Sequence, residues 1–161
     1  QALEQGAAPL ILTERVEHVT VLEAMFKGFA KNIFVLTGGM KSKEQLAKLN
    51  ALQKLKSNEE RLIIATGKYI GEGFDHARLD TLFLAMPLSW KGTLQQYVGR
   101  LHRIHDDKTV VKVYDYVDEK EQVLQAMFDK RMKAYKSMGY RIIDESNNNS
   151  PRTEQIRLFL N

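Results

Sequence analysis

Arg100 and Arg103 stand three residues apart in the string Gln96-Tyr97-Val98-Gly99-Arg100-Leu101-His102-Arg103, with Gln96 four residues ahead of Arg100. On a helix this spacing brings all three side chains to one face. Two planar guanidiniums aimed at one point suit a polyphosphate, whose charge is spread over several oxygens. A solvated basic face would use the same residues, so this helix alone leaves the choice open. A second cluster, Ala65-Thr66-Gly67-Lys68-Tyr69-Ile70-Gly71-Glu72-Gly73-Phe74-Asp75, places three glycines in one loop. Such a loop either presses its backbone against a ligand, bends beyond what other residues tolerate, or is a turn-rich connection that binds nothing. Two phosphate signatures are excluded. Gly67-Lys68 has no glycine five places earlier and Tyr69 stands where a P-loop needs Ser or Thr, and Gly71-Glu72-Gly73 lacks the third glycine of a dinucleotide fingerprint.

The elements that must position these clusters follow from hydrophobic period. Short apolar runs at 9–13, 32–36, 61–65, 81–86 and 110–116 read as buried strands, and Pro87 ends the fourth because it cannot donate to a ladder. Helical segments lie between them. The first, about 16–30, places Val19, Leu22, Met25, Phe26 and Phe29 on one face. The second opens on Ser42-Lys43-Glu44-Gln45, a capping-box pattern, and carries Leu46, Leu49, Leu52 and Leu55, with Ala47 and Ala51 filling in, as a stripe packed on the sheet. A helix at 92–102 holds the arginines, and one at 119–138 turns Val123, Leu124, Met127, Phe128, Met132 and Tyr135 inward. This alternation predicts an α/β fold, a mostly parallel sheet with crossover helices. In such sheets ligands gather at the carboxyl ends of strands, and both clusters directly follow a strand. Residues 140–143 read as a short edge strand, 146–151 as a linker and 154–160 as the start of a truncated helix. The expected division is a domain over 1–143 followed by a linker and tail over 144–161.

Composition sets outer bounds. Lys and Arg total 24 against 20 acidic residues, a net charge of +4 that permits a polyanionic partner without demanding one. With no cysteine, disulfides and thiolate metal sites are excluded, which makes the cytoplasm the default location. The sequence has neither an apolar run of the roughly 18 residues that span a bilayer nor a signal-peptide pattern at its start. It begins at Gln1 rather than Met, which reads as a piece cut from something longer.

Together the two clusters resemble superfamily 2 helicases, specifically their second RecA-like domain. Gln96-x-x-Gly99-Arg100-x-x-Arg103 matches motif VI of that family, and Thr66 to Asp75, ending Glu72-Gly73-Phe74-Asp75, looks like motif V of restriction-enzyme motor subunits and UvrB-like DNA helicases. Leu12-Thr13-Glu14-Arg15 sits where motif IV belongs, and Thr37-Gly38-Gly39 is similar to the family's next glycine turn. Tyr97 and Glu72 stand where DEAD-box proteins carry arginine, which points toward DNA rather than RNA motors. The resemblance covers roughly 9–116 and implies a RecA-like three-layer sandwich with helices on both faces. It also implies a split ATPase site. An N-terminal RecA-like domain, missing here, would hold most of the ATP and Mg²⁺. This chain would add Arg103 as arginine finger with Arg100 beside it, and Gly71, Gly73, Asp75 and Gln96 toward the nucleotide. Thr13, Arg15, Gly38, Thr66, Gly67 and Lys68 would face nucleic-acid phosphates, contacts that position without reading sequence. The whole would be an ATP-dependent helicase or translocase, with nuclease or other defence or repair subunits as further partners, no membrane, and no hydrolysis by this piece alone.

Two rivals remain at this stage: a stand-alone nucleic-acid-binding module without ATPase activity, and a sugar or nucleotide transferase. The first lacks an aromatic stacking platform, and the second has only Gly71 and Gly73 to offer. His102 and His105 could share a metal but have no carboxylates at helical spacing beside them, so no metal site is expected. His76 reads as a loop hydrogen-bonder, Trp90 as a packing residue, and Asp115, Asp118 and Glu119 as solvated capping charge.

Overall fold

The structure is a computed structural model that describes residues 1–39, 41–71, 73–87, 91–106, 108–117, 120–144 and 154–160. Strand β1 (Pro9–Thr13) leads through helix α1 (Val16–Phe26) to β2 (Ile33–Leu36), and α2 (Ser42–Lys54) leads to β3 (Leu62–Thr66). A short α3 (Gly67–Gly71), β4 (Thr81–Leu84), α4 (Lys91–Leu101), β5 (Val111–Val117), α5 (Gln122–Ser137), β6 (Arg141–Asp144) and β7 (Glu154–Leu160) complete it. The sheet order is β2-β3-β1-β4-β5-β7-β6, the first five strands parallel and the last two pairings antiparallel.

Alternation along the strands explains the layering, since successive side chains leave opposite faces of a sheet. Leu10, Leu12, Leu36, Ile63 and Ala65 meet α2, α4 and α5 on one face, through Leu52, Leu94, Val98, Leu101, Phe128 and Tyr135. Ile11, Leu62 and Ile64 meet Val19, Leu22 and Phe26 of α1 on the other. Helices therefore cover both faces, and β1, central and entirely buried, is apolar from Pro9 to Leu12, as expected of a strand covered twice. The expected α/β sandwich is what forms. Among the described residues no helix is long and apolar enough to cross a membrane.

Several local expectations are overturned. Helix α1 stops at Phe26, before Gly28 at φ 93°, so Phe29 falls beyond it and is 82% exposed, and Met25, within the helix, is 63% exposed instead of inward. The capping box does not form as expected: Lys41 is the cap residue and makes no side-chain cap bond, and Ser42 is already helical. Of the leucine stripe, Leu52 is buried, Leu49 and Leu55 pack partly, and Leu46 faces solvent. Strict three-residue spacing drifts around a helix of 3.6 residues per turn, so both ends of the stripe cannot share one face. Val123 is exposed, close to the start of α5. The glycine loop contains the single turn α3. Residues 154–160 form a strand rather than a helix: β7 lies between β5 and β6, paired along Val111 to Val117 and along Arg141 to Asp144. The edge strand expected at 140–143 is present as β6. The linker at 146–151, Trp90, Asp118 and Glu119 lie outside the described residues.

Asp115 is the sharpest correction. It is fully buried, not solvated. Arg131 grips its two oxygens from Nε at 2.7 Å and Nη2 at 2.8 Å, and the Tyr135 hydroxyl donates to it at 2.9 Å. Burial and the adjacent carboxylate push the Tyr135 phenol well above its ordinary range. At the opposite sheet edge, Lys48 of α2 donates to the carbonyl of Val35 in β2 at 3.2 Å.

Candidate functional site

Leu94, Tyr97, Val98 and Leu101 form the buried stripe of α4. Their spacing of three, four and seven residues fills one face, so Gln95, Gln96, Gly99 and Arg100 must look outward. These four, with Gly71 of α3, His102 and Arg103, line an open cleft of about 430 Å³. Gln96 and Arg100 share the helix face that their spacing predicts. Arg103 arrives differently, because α4 ends at Leu101 and Arg103 lies in the turn beyond it. That turn is fastened by the Lys108 ammonium, which donates to the carbonyls of Leu101 at 2.7 Å and Arg103 at 2.6 Å. It thereby satisfies acceptors that the helix end would leave bare. Burial lowers the Lys108 pKa from its ordinary value. The Arg103 guanidinium returns toward the glycine loop, with Nε 3.3 Å from Asp75 Oδ2 and the two side chains 57% and 45% exposed.

A second group forms at the carboxyl ends of the strands. Thr13 and Thr66 end β1 and β3 and are partners in register. Gly38, just past β2, donates its N–H to Thr66 Oγ1 at 3.3 Å, and a Cβ on Gly38 would rest 3.5 Å from the Lys68 stem. Thr13 is buried with Oγ1 3.4 Å from His18 Nδ1, while Arg15 and Lys68 are exposed. The site residues expected from sequence thus divide into two sets. Gly71, Asp75, Gln96, Arg100 and Arg103 gather around the cleft, and Thr13, Gly38, Thr66, Gly67 and Lys68 gather at the strand ends.

The glycines have separate reasons. Gly67 is steric: a Cβ there would collide with the Tyr97 hydroxyl and approach Met86 Cε at 3.2 Å. Gly73 is conformational, since its φ of 110° suits glycine alone; it turns the chain toward Asp75. Tyr97 is thus buried beneath α3, its phenol raised by burial and then by Glu14. Its inward place follows from standing three residues after Leu94. His76 bonds Arg61, with Nη1 3.2 Å from Nε2, as its position in the loop suggested. Burial, then the Arg61 charge, lowers its pKa to about 4. Neither Lys108 nor Tyr140, whose hydroxyl lies 2.7 Å from His102 Nε2, carries a sequence signal, because each meets the arginine segment only through the fold. Among the described residues no group of three or more His, Asp or Glu is placed to hold a metal.

A mostly parallel sheet covered on both faces, with Arg100 and Arg103 beside a glycine loop, is the architecture of a RecA-like α/β domain. Residues 2–105 match the family described as Helicase conserved C-terminal domain, and the chain belongs to that family. It is 34% identical over 100 residues to Uncharacterized protein 108L of Invertebrate iridescent virus 3, covering 62% of this chain and 91% of that protein. It is 35% identical over 79 residues to the protein named "Putative helicase 161L" of Invertebrate iridescent virus 6, covering 49% of this chain and 17% of that one. Among solved structures, the C-terminal part of the Fun30 ATPase domain matches with TM-score 0.66 and 12% identity, over 80% of this chain and 40% of that one. The C-terminal domain of the DEAD-box protein Dbp5 matches with TM-score 0.58 and 16% identity, over 83% and 71%. The chain therefore spans well under half of the Fun30 structure and less than a fifth of the 161L protein.

Proposed function

We propose that this chain is the arginine-finger lobe of an ATP-dependent DNA helicase or translocase whose ATPase site is completed by another RecA-like lobe. The observation that carries the reading is the pair Arg100 and Arg103, both on a cleft of about 430 Å³ with Gln96 and Gly71, with Arg103 tethered to Asp75. Two guanidiniums and an amide offer donors only or donors with one acceptor, the chemistry that fits phosphate oxygens. ATP, held with Mg²⁺ chiefly by the other lobe, would supply the phosphoryl group passed to water. Arg103 would meet the charge that develops on the transferring group, an effect worth 10³ to 10⁵ in rate for such fingers. Arg100 would neutralise neighbouring oxygens. Asp75 would hold the Arg103 guanidinium toward the cleft, and Gly71 and Gly73 would let the backbone turn past the nucleotide.

Arg15, Gly38 and Lys68 would contact the nucleic-acid backbone, and the buried Thr13, Thr66 and Gly67 would support that surface from beneath. Their separation into a second group supports a motor in which nucleotide state and track contact are read by different edges of one lobe. Tyr97 in place of arginine supports a restriction- or repair-type DNA motor working in the cytoplasm, with nuclease or other defence or repair subunits as partners. The test is Arg103→Ala in the full-length protein. DNA binding should persist while DNA-stimulated ATP hydrolysis falls by roughly 10³-fold or more. Unchanged turnover would remove the finger. The isolated chain, which contains no P-loop, should hydrolyse no ATP; metal-dependent turnover by the pure piece would contradict the split site.

A further inference from the structure

Arg103 lies beyond the last helical residue of α4, so the helix ladder does not fix its backbone. Two side chains do. Lys108 binds the carbonyls on either side of His102, as described, and Tyr140 reaches His102 itself, hydroxyl to Nε2 at 2.7 Å with the rings 5.7 Å apart. His102 stands between Leu101, which is wholly buried, and Arg103, which is exposed. A hydrogen bond at His102 therefore sets the direction in which the chain leaves the core toward Arg103.

Tyr140 is well placed to be the fixed end of that bond. It is 5% exposed and follows Gly139, whose φ of 84° closes α5. Its N–H donates to the Tyr135 carbonyl at 3.1 Å, and its ring meets the Tyr135 ring edge-on at 5.9 Å. Tyr135 is in turn bonded to Asp115, which Arg131 holds. A rigid, buried assembly on α5 and β5 thus presents one hydroxyl to the segment that carries Arg103. The low-polarity setting favours keeping that hydroxyl protonated and bonded, since an unpaired buried hydroxyl is costly. Burial accordingly raises the Tyr140 phenol above its ordinary range and lowers His102 below its own.

We infer that Tyr140 is a positioning residue for Arg103, acting through its hydrogen bond to His102. The inference rests on the reading of Arg103 as the finger. A catalytic group displaced by about 1 Å can lose roughly 10²-fold in rate, so the bond controls turnover without touching nucleotide.

The experiment compares Tyr140→Phe, His102→Ala and His102→Gln in the full-length protein, each also combined with Arg103→Ala. Tyr140→Phe keeps the ring and deletes the hydroxyl. It should lower kcat for DNA-stimulated ATP hydrolysis by roughly ten- to a hundredfold, with KM for ATP and DNA affinity changed by less than about twofold. His102→Ala should match it, and His102→Gln, which can still bond the phenol, should recover most of the turnover. In single-turnover measurements on the Arg103→Ala background, Tyr140→Phe should add no further loss, because the group it positions is gone. Wild-type turnover in Tyr140→Phe, or an equal loss with and without Arg103, overturns the inference while leaving the finger intact. Wild-type turnover in Arg103→Ala itself overturns both.

Discussion

Replacing Arg131 by Met should unfold this domain far more readily than its place on α5, which adds no residue to the lining of the cleft, would suggest. Asp115 and Arg131 are 0% and 2% exposed, and the guanidinium supplies two of the three hydrogen bonds that the carboxylate receives from Arg131 and Tyr135. Methionine fills much of the same volume but leaves the carboxylate buried with the Tyr135 hydroxyl alone. Breaking a buried pair from one side costs about 3–5 kcal/mol. For a chain of this size each kcal/mol moves Tm by roughly 2–4 °C, so a fall of roughly 6–20 °C is expected. Thermal and urea unfolding followed by circular dichroism measure it directly. The companion variant, Arg131→Met with Asp115→Leu, removes both charges and should recover most of the loss, since apolar pairs of similar volume often match buried ion pairs. A single variant that loses under about 1 kcal/mol, or a double variant as unstable as the single one, would refute the account of Asp115 as a charge dependent on Arg131.

Gly67→Ala should cost about 1–3 kcal/mol by overpacking against Tyr97, and Tyr97→Phe, which removes the nearest atom, should restore part of it in a double-mutant cycle. Asp75→Asn should leave the fold intact and lower ATP turnover less than Arg103→Ala does, because it loosens the tether without deleting the finger; equal losses would make Asp75 more than a tether. His76 has a folded-state pKa of about 4 against an ordinary 6.5, so the folded form holds fewer protons than the unfolded one. Its contribution to stability is complete above pH 6.5 and is lost as pH falls toward 4. His76→Gln should flatten the fall of Tm over that window, and an unchanged slope would exclude His76 as its source.

The parallel sheet and the arginine helix were legible because both depend on local period. Alternation from β1 to β5 needs only runs of Leu, Ile and Val. The outward turn of Gln96 and Arg100 needs only Leu94, Val98 and Leu101 behind them. Arg103 was expected on the helix face of Arg100, whereas it lines the cleft from a turn held by Lys108 beyond the helix end. What stayed hidden depends on distant partners. Asp115 looks like a solvated acid until Arg131 is seen across from it; the available signal was an arginine among Phe128, Met132 and Tyr135 on the inward face of α5. Residues 154–160 carry Ile156, Leu158 and Leu160 in alternation, a strand signal that a weak helical pattern obscured and that pairing with β5 decides.

The small bond from Lys48 to Val35 has a consequence for the life of the domain in solution. The β2 border of the sheet ends in a four-residue strand, and open strand borders invite a foreign chain to zip on. Brevity limits the length of any such zipper, and an ammonium already sitting on a backbone oxygen must be displaced before it can start. That flank is therefore guarded against becoming a seed for aggregation by its own brevity and by one seated cation.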